Sequence, residues 1–125
     1  MSTVVSTSSA PAAIGPYSQA IKTDSLIFTS GCIPLDPVSM KVVEGGVEEQ
    51  TTQALKNLSE VLKASGSDTQ KVVKTTVFLQ SLGDFAKVNA IYAAHFAPNK
   101  PARSCVEVAK LPLGVLVEIE AIATL

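Results

Sequence analysis

One arginine, one thiol and several carboxylates near the C-terminus are the residues whose types and spacing could do chemistry. In the stretch from Pro101 to Val108, Arg103, Cys105 and Glu107 fall on alternate positions; in Val115 to Ile122, Glu118 and Glu120 alternate with Val117, Ile119 and Ala121. Such alternation marks strands that set one face on a core and turn the other away from it. Lys110-Leu111-Pro112-Leu113-Gly114 reads as a turn, so the spacing predicts a hairpin. That hairpin would gather a guanidinium, a thiol and carboxylates on one side of a sheet, a cluster costly to bury unless it binds something. A planar guanidinium suits bidentate capture of a carboxylate better than a lysine does. By pattern alone an ion pair of Arg103 with Glu107, Glu118 or Glu120 is the commoner outcome. Either Glu118 or Glu120 could by spacing aim a water. Cys105 reads as a small buried hydrophobe or a pocket wall, and no histidine is placed by motif to activate it.

The elements that must position these residues follow from periodicity. Thr3 to Thr7, Ser18 to Lys22 and Leu26 to Ser30 read as strands, with Pro11, Gly15 and Pro16 breaking the chain between the first two. Val47, Thr51, Ala54, Leu55, Leu58, Val61 and Leu62 share one face of a helix over 47–64, closed by Gly66. Lys71 to Gln80, rich in β-branched residues, is a strand. A second helix starts at Leu82-Gly83-Asp84, with Asp84 as N-cap, and runs to about Phe96, turning Phe85, Val88, Ile91, Tyr92 and Phe96 inward. The order β-β-β-α-β-α-β-β predicts one α+β domain over 1–125, with both helices on one sheet face. The other face, carrying Arg103 and Glu118, needs a cover, and a second copy of the chain is the simplest one.

Composition narrows the function. The chain has 125 residues, 46% hydrophobic and only 17% charged, which is apolar for so small a domain and points to surface buried in an oligomer. A net charge of -1 and six aromatics give neither a basic face nor a stacking platform, so nucleic acid is not an expected partner. Cys32 and Cys105 are too few for a disulfide framework, and the single histidine, His95, leaves no metal motif and no histidine triad. No signal core and no membrane-spanning run is evident, so the expectation is a cytoplasmic protein without membrane association.

Several collinear motifs carry a resemblance. Ala10-Pro-Ala-Ala-Ile-Gly-Pro-Tyr17-Ser-Gln19, Ile27-Phe-Thr-Ser30-Gly31, Val72 to Leu79, Asp84-Phe-Ala-Lys-Val-Asn89, Pro101-Ala-Arg103-Ser and Glu118-Ile-Glu-Ala together resemble the RidA (YjgF/UK114) family of imine and enamine deaminases. The resemblance implies a chorismate-mutase-like α+β fold assembled as a homotrimer, with sites between subunits. It implies hydrolysis of short 2-imino and 2-enamino acids, such as 2-aminoacrylate, to 2-keto acids and ammonia, without metal or organic cofactor. It assigns Arg103 to the substrate carboxylate and Glu118 to the water, and it adds Tyr17, Ser30, Gly31, Asn89 and Cys105 as pocket residues. Arg103, Cys105 and Glu118 are expected on one subunit, with Tyr17 from its neighbour. Cys32 and the short loop Ala97-Pro-Asn-Lys100 depart from the family pattern, the loop at the expected pocket rim. The alternatives are a non-catalytic carboxylate-binding regulator or a chaperone-like protein, with ribonuclease or translation-inhibitor activity ranked below both.

Overall fold

Alternation and helical periodicity place most elements correctly in the computed structural model, which describes residues 1–125. Six strands form one sheet: β1 (Thr3–Val5), β2 (Ala20–Lys22), β3 (Leu26–Thr29), β4 (Val72–Leu79), β5 (Ala102–Glu107) and β6 (Val117–Thr124). Helix α1 (Val47–Ala64) joins β3 to β4, and α2 (Phe85–Phe96) joins β4 to β5. All seven residues assigned to the apolar face of α1 are buried. Gly66, with φ +86°, lets Ser67 N–H reach the Leu62 carbonyl and closes the helix. Asp84 makes no cap bond; the Ser81 hydroxyl instead accepts from Gly83 N–H and starts the turn that leads into α2.

The expected hairpin of the last two strands does not form. The sheet order is β1-β2-β3-β6-β4-β5. β5 runs parallel to β4 through the α2 crossover, while β6 lies antiparallel between β3 and β4. The physical reason lies in the two faces of β6. Val117, Ile119, Ala121 and Ala123 are all buried, which suits a central strand, whereas β5 buries none of its residues fully and stays at the edge.

The register then decides which side chains can meet. Val77 of β4 is flanked by Ile119 and Cys105, and Thr75 by Ala121 and Arg103; these six lie on the face that carries the helices. Phe78 is flanked by Glu118 and Val106, and Thr76 by Glu120 and Ser104, on the open face. Arg103 and Glu118 therefore point to opposite faces of one sheet, and the expectation that the open face bears both is corrected. The open face also exposes Val4, Phe28 and Val106.

Candidate active site

Arg103 leaves the helix-bearing face at the β5 edge, half-buried under α2. Its guanidinium lies 4.7 Å from the Tyr92 ring centroid and 5.4 Å from that of Phe85, within cation–π range. Its Nη1 donates to Asn89 Oδ1 at 2.8 Å. Asn89, which the family resemblance names as a pocket residue, thus orients the arginine. Tyr92 is itself fixed by a buried 2.6 Å hydrogen bond to Thr75. No carboxylate pairs with Arg103. The chain's two ion pairs are Met1 with Asp24 and Lys63 with Glu60. Glu107 is committed to the Leu82 N–H at 2.9 Å. The structural ion pair that pattern alone favours is absent, and the guanidinium keeps donors free. Cys105 shares this face; burial raises its pKa against the opposing pull of Arg103.

Glu118 belongs to a second cluster. A cavity of about 640 Å³ is lined in part by Tyr17, Ser30, Gly31, Cys32, Glu118 and Glu120. Burial, and secondarily the neighbouring Glu120 charge, raise the pKa of Glu118. A carboxyl so shifted holds or takes a proton nearer neutral pH than an ordinary glutamate does. Gly31 is required by close approach: a Cβ there would overlap the Glu118 carboxylate, lying 2.7 Å from its Cδ. The adjacent Cys32 exchanges backbone hydrogen bonds with Ile119 and so ties this loop to β6. Burial, with the Glu118 charge adding to it, pushes the Cys32 thiol up to about 12, so it stays protonated.

Tyr17 is half-exposed on the 7–19 loop, its hydroxyl within 3.5 Å of the Ile14 N–H. The Ser30 hydroxyl donates to the Ser18 carbonyl at 2.6 Å, so it braces this loop rather than facing the cavity as a free donor. Gln19 does more: its amide nitrogen donates to the carbonyls of Thr7, Ala10 and Pro11, and its oxygen accepts from Thr7 N–H. The structure therefore brings Tyr17, Ser30, Gly31 and Glu118 together on one side. It brings Arg103, Asn89 and Cys105 together on the other, and it does not join the two groups within one chain. Tyr17 shares a chain with its Glu118, contrary to the expected division. The 97–100 loop does not line the cavity; Asn99 latches it to the Thr69 and Val72 carbonyls. Sequence reasoning missed Gln19 as a latch, and it read Tyr92 and Phe85 as core only. The Gly-Pro-Tyr-Ser-Gln run was the available signal for the first.

A family model described as Endoribonuclease L-PSP matches residues 7–125. The chain belongs to this family. Relatives within it include a mouse protein named 2-iminobutanoate/2-iminopropanoate deaminase, 57% identical over 120 residues that cover 96% of this chain and 89% of the mouse protein. Reactive Intermediate Deaminase A, chloroplastic, from Arabidopsis thaliana is 57% identical over 122 residues. That match covers 98% of this chain but only 65% of the plant protein. The crystal structure of the YjgF gene product from E. coli superposes with a TM-score of 0.93 at 46% identity, covering 98% of each chain. The RidA and YjgF resemblance read from the motifs holds, as does the α+β fold with two helices on one sheet face. No helix is long and apolar enough to cross a membrane.

Proposed function

We propose that the protein is a cytoplasmic hydrolase of short 2-imino and 2-enamino acids, releasing the 2-keto acid and ammonia. The observation that carries this reading is Arg103: half-buried, stacked on Tyr92 and Phe85, oriented by Asn89 and without any carboxylate of its own. A fixed guanidinium with free donors is an anion clamp awaiting its carboxylate. The names of the mouse and Arabidopsis relatives support the same chemistry.

Arg103 and Glu118 lie on opposite faces of one sheet, too far apart in direction for one small substrate. The site is therefore built by two copies, the Arg103 group of one facing the Glu118 cavity of the next, in a homotrimer. The substrate carboxylate docks on Arg103. Water adds to the carbon of the protonated imine as Glu118 takes one of its protons, giving a neutral carbinolamine. Glu118 returns that proton to the nitrogen, the C–N bond breaks as ammonia leaves, and the hydroxyl loses its proton to Glu118 or solvent to become the carbonyl of the keto acid. Acid–base help of this kind contributes about 10²–10⁴-fold. The raised pKa of Glu118 suits a group that must both take and return a proton.

RNA cleavage, suggested by the family model's description, finds less support. The cavity's charged side chains are both carboxylates, which repel phosphate, and His95 is engaged with Ser59 outside it. The test is keto-acid release from enzymatically generated 2-aminoacrylate. The wild-type protein accelerates it, Arg103→Ala does not, and Arg103→Lys is poor because a point charge cannot make the fork. No acceleration by the wild type, or an Arg103→Ala variant as fast as wild type, refutes the proposal.

A further inference from the structure

The chain buries three amide side chains, Gln19, Gln50 and Asn57. A buried amide is costly unless its hydrogen bonds are made, and an apolar side chain would meet no such cost. Yet Gln50 and Asn57 lie among the buried residues of α1. Each bonds to the backbone of a segment that borders the cavity. Asn57 donates to the Ile33 and Leu35 carbonyls at 3.0 and 2.9 Å. Gln50 accepts from the Leu116 N–H at 2.7 Å, between Leu113 and Glu118, which both line the cavity.

Gln19 holds the longest of these segments. Its two N–H donors are shared among the carbonyls of Thr7, Ala10 and Pro11, and its oxygen accepts from Thr7 N–H. From Thr7 to Tyr17 these are the only hydrogen bonds that leave the segment. The others are internal: Ser9 N–H to the Thr7 hydroxyl, Ile14 N–H to the Tyr17 hydroxyl and Tyr17 N–H to the Gly15 carbonyl. The far end is fastened separately, by the Ser30 hydroxyl on the Ser18 carbonyl and the Ser30 N–H on the Gln19 carbonyl. One side chain thus draws the two ends of the loop together, while its tip from Ile14 to Tyr17 is exposed and bonded only to itself. The same loop supplies Tyr17 to the cavity that Gly31 and Glu118 line. Compact loops closed by their own side chains often carry function.

We infer that Gln19 is a positioning residue of the imine hydrolysis: its side chain holds the 7–17 loop closed and so keeps Tyr17 at the cavity with Gly31 and Glu118. The kinetic consequence rests on the imine-hydrolase reading; the placement of Tyr17 does not. An amide suits the task because it does not titrate, so the loop stays closed while Glu118 gains and loses a proton.

The chain has two tyrosines and no tryptophan, so labelling the full protein with 3-fluorotyrosine gives one fluorine NMR signal from Tyr17 and one from the buried Tyr92, assigned with Tyr92→Phe. Gln19→Met keeps a long side chain and removes the amide. In this variant the Tyr17 signal moves to the position of an unstructured tyrosine, while the Tyr92 signal, which reports an intact core, stays. A Tyr17 signal that also stays overturns the inference. Kinetics give a second readout. On 2-aminoacrylate the variant loses about 10²-fold in kcat, the effect of a displaced site wall, yet keeps its affinity for pyruvate, whose carboxylate Arg103 holds elsewhere. A merely structural role would weaken both together. Tyr17→Ala slows the wild type but adds almost nothing in the Gln19→Met background. Equal losses in the two backgrounds, or no loss in the wild type, overturn the inference.

If Gln19→Met does not fold, Gln19→Glu makes the test within one folded protein. Its carboxylate repels the three loop carbonyls, whereas its protonated form donates to one of them. The Tyr17 signal then swings from free at high pH to docked at low pH, a swing the wild type lacks, and its absence overturns the inference. If the wild type accelerates no imine, the imine-hydrolase reading fails, and the two fluorine signals still decide whether Gln19 places Tyr17.

Discussion

Two inactive variants, Arg103→Ala and Glu118→Gln, should restore activity to each other when assembled into mixed oligomers. Arg103 lies with Asn89 and Tyr92 beneath α2, and Glu118 leaves the opposite face of the sheet to line the cavity. Each cleft of the proposed trimer takes its arginine from one copy and its glutamate from the next. A mixed cleft is intact only when the arginine side comes from a Glu118→Gln chain and the glutamate side from an Arg103→Ala chain. Random assembly of equal amounts gives each condition in half the cases, so about one cleft in four is intact. Keto-acid release should return to roughly a quarter of the wild-type rate, against a near-zero rate for either variant alone. The two proteins are unfolded together, refolded and assayed on 2-aminoacrylate, with separately refolded and then mixed samples as the control. Had both residues belonged to one subunit's contribution, as the hairpin expected from sequence implied, every cleft would carry a defect and nothing would return. Mixed oligomers that form and stay inactive would refute the two-copy site.

Three further outcomes follow from individual contacts. Gly31→Ala should drive the Glu118 carboxylate from its place and lower turnover about 10²-fold or more, while circular dichroism and oligomer size stay unchanged. Glu120→Gln removes the second cause of the raised Glu118 pKa, so Glu118 ionises more readily and the acid limb of the pH–rate profile moves to lower pH; a limb that stays put or moves upward contradicts Glu118 as the base. Tyr92→Phe keeps the ring under Arg103 but leaves the buried Thr75 hydroxyl without its partner, and denaturant unfolding should report a loss of about 1–3 kcal/mol.

What the sequence could reveal tracks how strongly each pattern constrains geometry. Helix α1 was legible to the residue because seven apolar positions define one face and glycines flank both ends. The face of β6 was nearly as clear, since Val117, Ile119 and Ala121 alternate with Glu118 and Glu120 and only Ile122 departs from the pattern. β5 was not. Its two faces, Ala102-Ser104-Val106 and Arg103-Cys105-Glu107, are both mixed, so alternation says which residues point together but not toward what. That ambiguity let Arg103 be assigned to the face of Glu118. Strand pairing was open for a related reason: a turn-like Leu-Pro-Leu-Gly run marks a change of direction, not the neighbour that the next strand will choose. The stacking of Tyr92 and Phe85 on Arg103 was hidden because aromatic spacing on a helix looks the same for core and for site.

The features left unsatisfied in a single chain point in one direction. The open sheet face exposes Val4, Phe28 and Val106, and the β5 edge leaves backbone groups unpaired. Arg103 is oriented for an anion but meets no carboxylate in its own chain. Glu118 sits in a cavity far larger than a small imine and without any cation. A stable monomer would be expected to cover the apolar face or to shorten the edge, and to neutralise the arginine locally. Each omission is accounted for if another copy covers the open face and brings its Arg103 to this chain's Glu118. Assembly and catalysis then become one event: dilution that separates the copies should abolish activity before it unfolds the chains, since α1, α2 and the central strands hold a core that no partner completes.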